Sequence, residues 1–573
     1  MVHFVLDEAD ARMTKYDIAR VLEEIAFFLE LKGENPFKAK AYSHAAEILQ
    51  KLPQDPADLV RKESLGELKG IGPTLADTVS ELITTGRCRL HEELLALFPR
   101  GLLELADIPG LGPKKLKVIY EQLGVSSLGE LQYACIENRL VKLPGFGQKA
   151  QERIITGIRQ FQRHKGFHLS AAVIGEAEQL LATMRRLNSV EQADLAGDLR
   201  RKAEVVQGLG VVIASSSPAS LPALLAAIPG MAEMRENESG LITARSPQGL
   251  PLEIRVAGLS DYGSTLFDAT GHSLHVEAVR QRLRVPGPYK TEEALYAAAG
   301  LPYIPPELRE GHGELEMAAL QRIPKLVEAS QVQGIFHNHT IYSDGSASVE
   351  EMAVAARDLG YRYIGISDHS QSAFYAKGLK EDRIMAQRAE MAAVQQKLSG
   401  IRIFKGIEAD ILPDGAMDYP DEVLATFDFV IASVHSRFNL SEEEQTNRIC
   451  RALSNPYVTM LGHATGRLLL SRDGYRADMK RVIDAAAVND KLIEINASPH
   501  RLELDWRWCG YAKNKGVRFS INPDAHSPEA LATVPLGVNV ARKGGLTADD
   551  IINTLPVEEM ATYLRARRPA LAL

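Results

Sequence analysis

The chain of 573 residues is too long for a single hydrophobic core, and its 45% hydrophobic and 24% charged residues exclude a disordered protein. The net charge of −8 excludes a broadly basic surface, so any contact with nucleic acid must be local. Four scattered cysteines, no signal-peptide pattern and no long apolar run predict a protein of a reducing cytoplasm that does not cross a membrane.

The first part of the chain, residues 12–165, is predicted to be helical and to begin with an amphipathic helix over 14–31. One pattern recurs three times, an apolar residue followed by Gly-x-Gly and the start of a helix: LKGIGPTLA (68–76), IPGLGPKKL (108–116) and LPGFGQKAQ (143–151). Such glycines permit a tight turn and expose backbone N–H groups that can hold a DNA phosphate. The predicted DNA contacts are Gly70, Gly72, Gly110, Gly112, Lys114, Gly145, Gly147 and Lys149. The alternative is that the glycines only form turns between helices.

An α/β region follows the helices. Residues 190–216 are predicted to form two strands around a polar turn, and PLEIRVA (251–257) alternates like a further strand. Helices return over 260–315, and LVEASQVQG (326–334) is predicted to be a linker.

The last part of the chain contains seven strand-length apolar runs that end in polar residues and leave room for a helix between them. They are GIFHNHT (334–340), YIGISDH (363–369), IRIFKGIEAD (401–410), FDFVIASVH (427–435), VTMLGHATG (458–466), KLIEINAS (491–498) and GVRFSINPDAH (516–526). Such runs are typical of a parallel barrel, whose chemistry gathers at the C-terminal ends of the strands. Those ends supply nine side chains that suit zinc, manganese or iron: His337, His339, Asp344, His369, Glu408, His435, His463, Asp524 and His526. The alternative is that some of these histidines are ordinary core or surface residues.

The order of these segments resembles that of the bacterial family X DNA polymerases with a C-terminal polymerase-and-histidinol-phosphatase (PHP) domain. NPFKAKAYSHAA (35–46) and DYGSTLFDATGH (261–272) are similar to parts of the polymerase, and HNHT, SDG, DHS, GIEADI, SVHS, GHATGR and NPDAH match the PHP motifs. The resemblance implies a multidomain protein. Its expected parts are a helix-hairpin-helix domain (1–95), a fingers-like helical domain with two more such motifs (96–165), an αβ nucleotidyltransferase-like palm (166–260), a thumb (261–318), a linker (319–333) and a distorted seven-stranded (β/α) barrel (334–573).

The resemblance also implies two or three divalent ions, with manganese or zinc favoured. It places His337, His339, Glu408 and Asp524 on the first ion, Glu408 as a bridge to a second ion with His435 and His463, and Asp344, His369 and His526 on a third. The expected catalytic residues are His337, His339, Glu408, Asp524 and Arg467. Arg467 and Lys377 would steady a substrate phosphate, although Arg467 equally fits an ion pair with an acidic neighbour.

The polymerase site departs from the family pattern. Nucleotidyl transfer needs Asp-x-Asp on one strand and a third acid on its neighbour, because two magnesium ions bind carboxylate oxygens on one face. These positions fall on Gly208, Gly210 and Glu253, while Arg200 and Arg201 remain to bind a nucleotide. Magnesium binding and templated polymerisation are therefore expected to be weak or lost.

The resemblance thus implies a DNA-repair protein that acts as a metal-dependent 3′–5′ exonuclease or phosphodiesterase on gapped, nicked or 3′-ended DNA. We further expect a monomer associated with the bacterial nucleoid. Three alternatives stay open: a competent gap-filling polymerase with an accessory exonuclease, a DNA-binding scaffold without catalysis, and a small-molecule phosphatase.

Overall fold

The structure is a computed structural model that describes residues 13–568 except 53–54, 63, 69, 137–138 and 238–239. The chain divides between Lys165 and Gly166 into two compact units. Among the described residues, no helix is both long and apolar enough to cross a membrane.

The first unit is built from helices joined by short turns. Its helices are α1 (Lys15–Lys32), α2 (Pro36–Lys51), α3 (Pro56–Arg61), α4 (Pro73–Thr85), α5 (Arg89–Leu97), α6 (Gly101–Ala106), α7 (Pro113–Leu123), α8 (Leu128–Ile136) and α9 (Gln148–His164). The helix predicted over 14–31 is confirmed as α1, where Thr14 and Asp17 form a capping box and Gly33 ends the helix in the left-handed conformation.

The second unit begins with an αβ region. Its elements are β1 (His168–Leu169), α10 (Ser170–Met184), β2 (Val190–Ala196), α11 (Gly197–Arg200), β3 (Val205–Val206), β4 (Leu209–Ser215), α12 (Leu221–Ala226), β5 (Ala232–Glu236), β6 (Leu241–Arg245) and β7 (Pro251–Ala257). Five strands form one sheet in the order β2-β4-β7-β6-β5. The two strands predicted over 190–216 are present as β2 and β4, but a short helix and β3 lie between them where a simple turn was predicted.

Four helices and an ordered connection lead into the barrel. The helices are α13 (Tyr262–Thr270), α14 (Ser273–Arg280), α15 (Glu292–Ala298) and α16 (Glu314–Ala319). The predicted linker packs on the barrel, because Val327 N–H donates to Leu546 O at 3.0 Å and Gln333 N–H donates to Asn553 O at 2.8 Å.

The C-terminal part is the predicted seven-stranded parallel barrel. Its strands are β8 (Gly334–Ile335), β9 (Tyr363–Ile366), β10 (Arg402–Asp410), β11 (Phe429–Ser433), β12 (Met460–Leu461), β13 (Leu492–Asn496) and β14 (Phe519–Asn522), paired in chain order. The helices are α17 (Val349–Asp358), α18 (Glu381–Lys397), α19 (Asp421–Leu424), α20 (Glu442–Ser454), α21 (Met479–Val488), α22 (Trp506–Asn514), α23 (Val534–Lys543) and α24 (Val557–Ala566). The capping box of Ser348 and Glu351 begins α17 as expected.

The barrel nearly closes between its first and last strands. Near the C-terminal ends, Asn338 and Ala525 form a parallel bridge. Near the opposite ends, the Asn553 side chain donates to Gly334 O at 3.0 Å and to Ile521 O at 2.9 Å. The seam is therefore held at both ends, which keeps the first and last strand ends together.

Aromatic side chains fill the barrel below its C-terminal face. Phe336 and Phe429 pack edge to face with ring centroids 4.8 Å apart. Two strand glycines make room for them, since a Cβ on Gly406 would lie 2.1 Å from the Phe429 ring and one on Gly365 would lie 2.6 Å from it. This close-packed apolar layer supports the polar side chains above it and limits their movement.

Candidate functional site

The structure brings all nine predicted metal ligands together at the C-terminal face of the barrel. His337, His339 and Asp344 follow β8, His369 follows β9, Glu408 lies in β10, His435 follows β11, His463 follows β12, and Asp524 and His526 follow β14. Because neighbouring parallel strands end at one edge, residues far apart in sequence meet there.

Glu408 lies at the centre of the cluster. Its Oε1 is 2.8 Å from His463 Nε2, 3.2 Å from His435 Nε2 and 3.3 Å from His337 Nε2, and its Oε2 is 2.8 Å from His369 Nδ1. One fully buried carboxylate therefore faces four imidazoles, which is the geometry that a bridging ligand between ions requires.

Four overlapping groups have ligand atoms within 4.8 Å of one another. They are His339, Asp344, His369 and His526; His337, Glu408 and His463; His337, His339 and Asp524; and His369, Glu408 and His435. These groups can hold divalent ions, but they share more residues than the expected division does. His339 also belongs to the group expected for the third ion, and His369 also belongs to a group with Glu408 and His435. The assignment of ligands to individual ions stays a prediction.

The chemistry of the donor set fits metal ions. His337 Nε2 and both ring nitrogens of His339 are buried without a hydrogen-bond partner in the described part of the chain. Leaving such an atom unpaired costs about 1–3 kcal/mol, and cations bound by these atoms would remove that cost. The donors are nitrogen and oxygen atoms without thiolates, which suits manganese or zinc.

Buried acids behind the histidines set their orientation. Glu494 accepts a hydrogen bond from His337 Nδ1 at 2.6 Å, and Asp410 accepts one from His435 Nδ1 at 2.5 Å. Each contact holds the ring so that Nε2 faces Glu408. Neither acid was predicted, although Glu494 stands out as a charge within the apolar strand KLIEIN and Asp410 shares the face of Glu408 two residues before it.

A further buried acid holds the loop that carries Asp344. Asp368 accepts hydrogen bonds from Thr340 N–H at 2.7 Å, Thr340 Oγ1 at 2.7 Å and Ser343 N–H at 3.1 Å. The Gln387 side chain also donates to it. Burial, opposed by these donors, raises the pKa of Asp368 above its usual value.

Backbone strain is concentrated at the ligands. His337, His463 and Asp524 have φ values of 28°, 20° and 53°, which non-glycine residues rarely adopt. Residues in such conformations cost about 1–3 kcal/mol each and persist where the surroundings over-determine them. The strain turns these side chains away from the strand direction and into the cluster.

Burial and neighbouring charges set the protonation of the histidines. Burial, followed by His526 and His369, lowers the pKa of His339 to about 3. At His369 and His435, burial lowers the pKa, but Glu408 and nearby carboxylates outweigh that effect. They raise the pKa of His369 to about 10 and that of His435 to about 9. His339 is thus ready to bind a metal ion, whereas His369 and His435 must first lose a proton.

Two arginines lie beside the cluster in different roles. The predicted catalytic Arg467 donates to Asp505 Oδ2 at 2.8 Å and Glu204 Oε1 at 3.4 Å, so it forms the ion pair that was its alternative role. Arg501, which was not predicted, places Nε 3.4 Å from Oδ2 of the ligand Asp524. Its position just after β13 was the signal for it, since strand ends face the centre. Lys377 is exposed on a loop after His369.

The three predicted hairpins share one backbone geometry. The first glycine of each, at 70, 110 and 145, has a φ between 79° and 100°, and the second glycine, at 72, 112 and 147, is the N-cap of α4, α7 or α9. The apolar residue between the glycines is buried in every case: Ile71, Leu111 and Phe146.

The outer surfaces of the hairpins are open for close approach. A Cβ at Gly72, Gly110, Gly112, Gly145 or Gly147 would meet nothing within 4 Å, and Lys114 and Lys149 are exposed in the first turn of their helices. Gly70 differs, because a Cβ there would lie 2.7 Å from Ile48. The second and third hairpins therefore combine open glycines with a lysine two positions after the second glycine, where the first hairpin has Thr74.

The three positions predicted for the polymerase carboxylates, Gly208, Gly210 and Glu253, lie close together at the αβ sheet. Gly210 on β4 pairs with Glu253 on β7, so the second and third acid positions are neighbours. Together with Asp198 and Gly208 they line a cavity of about 410 Å³. A Cβ at Gly208 would lie 2.5 Å from Pro251 O, so this position has no room for a carboxylate side chain.

The two predicted nucleotide-binding arginines are held in ion pairs. Arg200 contacts both oxygens of the buried Glu292, at 2.9 and 2.7 Å. Arg201 contacts Glu310 at 3.0 Å and also pairs with Asp198. Neither arginine lines the cavity, so a triphosphate there would have to compete with these carboxylates.

Comparison with known proteins finds family matches in three segments of the chain. Residues 13–88 match a helix-hairpin-helix domain, 102–160 a SAM-like helix-hairpin-helix tandem and 336–498 a PHP domain. Probable phosphatases of Caldanaerobacter subterraneus subsp. tengcongensis and Thermoanaerobacter sp. (strain X514) are both 30% identical, over 249 and 243 residues. These matches cover 40% of this chain in both cases, and 91% and 94% of the two relatives.

The fold and the site define a multidomain chain in which helix-hairpin-helix motifs and an αβ region precede a PHP barrel with a cluster of metal-ligand side chains. The chain is 34% identical over 572 residues to the protein of Bacillus subtilis (strain 168) named DNA polymerase/3'-5' exonuclease PolX. That similarity covers 96% of this chain and 100% of the relative. The chain therefore belongs to the bacterial family X DNA polymerases that carry a C-terminal PHP domain.

Proposed function

We propose that this protein is a metal-dependent 3′–5′ exonuclease of DNA and that its PHP barrel carries the activity. The observation that carries the proposal is the convergence of nine metal-ligand side chains around the buried Glu408. The relative named as a polymerase and 3′–5′ exonuclease supports the choice of DNA phosphodiesters as substrate.

Two or three divalent ions, manganese or zinc, would activate a water molecule and stabilise the oxygens of the phosphodiester. The nine side chains would hold these ions, with Glu408 as the shared ligand. Glu494 and Asp410 accept hydrogen bonds from Nδ1 of their histidines, which turns Nε2 of each ring inward. Arg501, next to Asp524, adds a positive charge beside the centre.

We infer that the helical hairpins bring DNA to the protein, with Gly110, Gly112, Lys114, Gly145 and Lys149 as contacts. Open glycines at helix N-termini and exposed lysines support this role. Gapped, nicked or 3′-ended DNA is the proposed substrate, and a monomer in the bacterial nucleoid is the proposed state.

We also propose that templated polymerisation is weak or lost. The missing carboxylates at Gly208 and Gly210 support this, since two magnesium ions need acidic ligands there. The crowding at Gly208 and the ion pairs of Arg200 and Arg201 support it further.

Digestion of 3′- and 5′-labelled DNA with manganese, magnesium, zinc or a chelator tests the exonuclease. Wild-type protein should shorten the strand from its 3′ end only with metal, and His339→Ala/Asp524→Ala should not shorten it. His312→Ala/Asp358→Ala, which changes an exposed histidine and an exposed aspartate elsewhere, is the matched control.

Three outcomes would contradict the proposal. Digestion that survives in His339→Ala/Asp524→Ala would mean that the active centre lies elsewhere. Ordinary gap filling by the wild type would restore the polymerase alternative. Turnover of a small phosphate monoester without any action on DNA would favour the phosphatase alternative, which the two phosphatase relatives of the barrel make worth testing.

A further inference from the structure

A ten-residue loop, 370–379, leaves the metal centre and returns to the same ligand. Ser370 directly follows His369, and Leu379 N–H donates to His369 O at 2.8 Å. The return is tight, because a Cβ on Gly378 would lie 1.8 Å from Ser370 O. Both ends of the loop are therefore fixed at the rim of the centre.

Side chains from neighbouring elements hold the loop in one conformation. Asp418 accepts from Ser370 Oγ at 2.7 Å and from Ser372 N–H at 3.0 Å. Arg383 Nη1 donates to Lys377 O at 2.8 Å, and its Nη2 donates to Tyr342 O in the loop before Asp344. The two ligand loops are thereby tied together, so the rim has a defined shape.

Phe374 lies at the tip of this anchored loop and is 84% exposed. Its neighbours Ala373 and Ala376 are buried, so the turn directs one large apolar side chain outward from a packed base. Ile341, on the tied neighbouring loop, is 55% exposed. The two exposed apolar side chains therefore lie on two tied loops that both adjoin metal-ligand residues, where a DNA strand bound at the centre would pass.

The charges around Phe374 favour a nucleic acid as the ligand. Lys377 and Lys380 are exposed, and the described residues offer neither of them a salt bridge. Glu381 and Asp382 begin α18, so with Arg383 the segment carries one net positive charge. This charge is too small for electrostatic binding by itself, so the aromatic ring must supply most of the affinity.

We propose that loop 370–379 is a single-stranded DNA site, in which Phe374 stacks on a base near the 3′ end and Lys377 and Lys380 face its phosphates. Aromatic rings beside cations bind single strands in this way, because every base has a face for stacking. Phe374 is five residues from His369 and so lies within about 18 Å of it, close enough to contact a strand whose end is being cut. The inference rests on the proposed exonuclease function.

The test compares two single-stranded substrates that differ only in whether the nucleotides at the 3′ end carry bases. One has an ordinary 3′ end, and the other has abasic sites at the last few nucleotides. For Phe374→Ala in the full chain, kcat/KM on the ordinary strand should fall by about 5- to 150-fold, the range for loss of one stacked base. The wild type and Phe374→Ala should cut the abasic strand equally, and Phe374→Trp should recover the activity on the ordinary strand.

Met385→Ala is the control, since Met385 is 66% exposed on α18 but lies outside the loop. The inference is wrong if Phe374→Ala behaves like Met385→Ala, or if it loses as much activity on the abasic strand as on the ordinary one.

A separate measurement covers failure of the proposed function itself. If the wild type cuts no DNA, binding of a short labelled single strand is measured by fluorescence anisotropy. Phe374→Ala must then raise the Kd by a factor similar to that expected for kcat/KM, and an unchanged Kd would overturn the inference.

Discussion

Replacing Glu494 by glutamine keeps the shape of the side chain but removes one of its two acceptor oxygens. Glu494 is fully buried, and it is the acceptor in each of its described hydrogen bonds. Oε1 accepts from His337 Nδ1 at 2.6 Å and Asn522 Nδ2 at 3.0 Å, and Oε2 accepts from His463 N–H at 2.7 Å and Asn496 Nδ2 at 3.2 Å.

The amide of Glu494→Gln can satisfy only one of these pairs. If its NH₂ faces His463 N–H, two donors confront each other, at a cost of about 1–3 kcal/mol for the buried group left unpaired. If its NH₂ faces His337, the ring can accept that bond only by carrying its proton on Nε2, and Nε2 can then no longer bind a metal ion.

Either orientation should weaken metal binding. Loss of such an orienting partner lowers metal affinity or activity by about 10- to 100-fold, which is about 1.4–2.7 kcal/mol. Manganese titration of the metal-free protein and digestion of labelled DNA at saturating manganese measure the two effects. The free energy of unfolding of the metal-free protein should also fall.

Glu559→Gln is the control, because it makes the same change at an exposed position on α24. If Glu494→Gln binds manganese and digests DNA within twofold of this control, Glu494 does not set the tautomer of His337 and the reasoning is wrong.

Three other predictions concern different parts of the molecule. Lys149→Ala should weaken DNA binding at low salt and reduce the salt slope by about 1, and a slope equal to that of the wild type would contradict a phosphate contact. Because raised pKa values of about 10 and about 9 keep His369 and His435 protonated at neutral pH, manganese binding should release protons and tighten as the pH rises towards 9. An indicator dye in weak buffer measures the release, and pH-independent affinity between about 7 and 9 would oppose it. Gly210→Asp should fold normally, since the nearest atom to its Cβ lies 3.4 Å away, whereas adding Gly208→Asp should lower the melting temperature without restoring gap filling. Recovered gap filling would show that the missing carboxylates alone impair the site.

The strand predictions located the barrel well but overestimated the lengths of two strands. The runs at 334–340 and 458–466 contain only the two-residue strands β8 and β12. Ladder pairing ends early there, because His337 and His463 take positive φ values that no extended strand contains. Apolar character is visible in the sequence, whereas the backbone turn that aims a ligand is imposed by the packing around it.

The αβ region over 166–260 shows the same limit of prediction from sequence more strongly. The loss of carboxylates at Gly208 and Gly210 is legible in the sequence, and so is the survival of Arg200 and Arg201. The sequence does not show that Arg200 and Arg201 form ion pairs with Glu292 and Glu310, which lie 92 and 109 residues further along. Their partners depend on how the helices after the sheet pack against it.

The sequence by itself determined the kinds of ligand, their places at strand ends, the three hairpins and the family, because each of these is written in local residue order. Only the tertiary structure decided that Glu408 faces four imidazoles, that Glu494 and Asp410 turn two of them inward, and that a loop rooted at His369 presents Phe374 to solvent. The physical reason is that coordination and hydrogen bonding depend on distances of a few tenths of an ångström. Such distances between residues 25 to 157 positions apart are set by strand register and close packing, which no local pattern encodes.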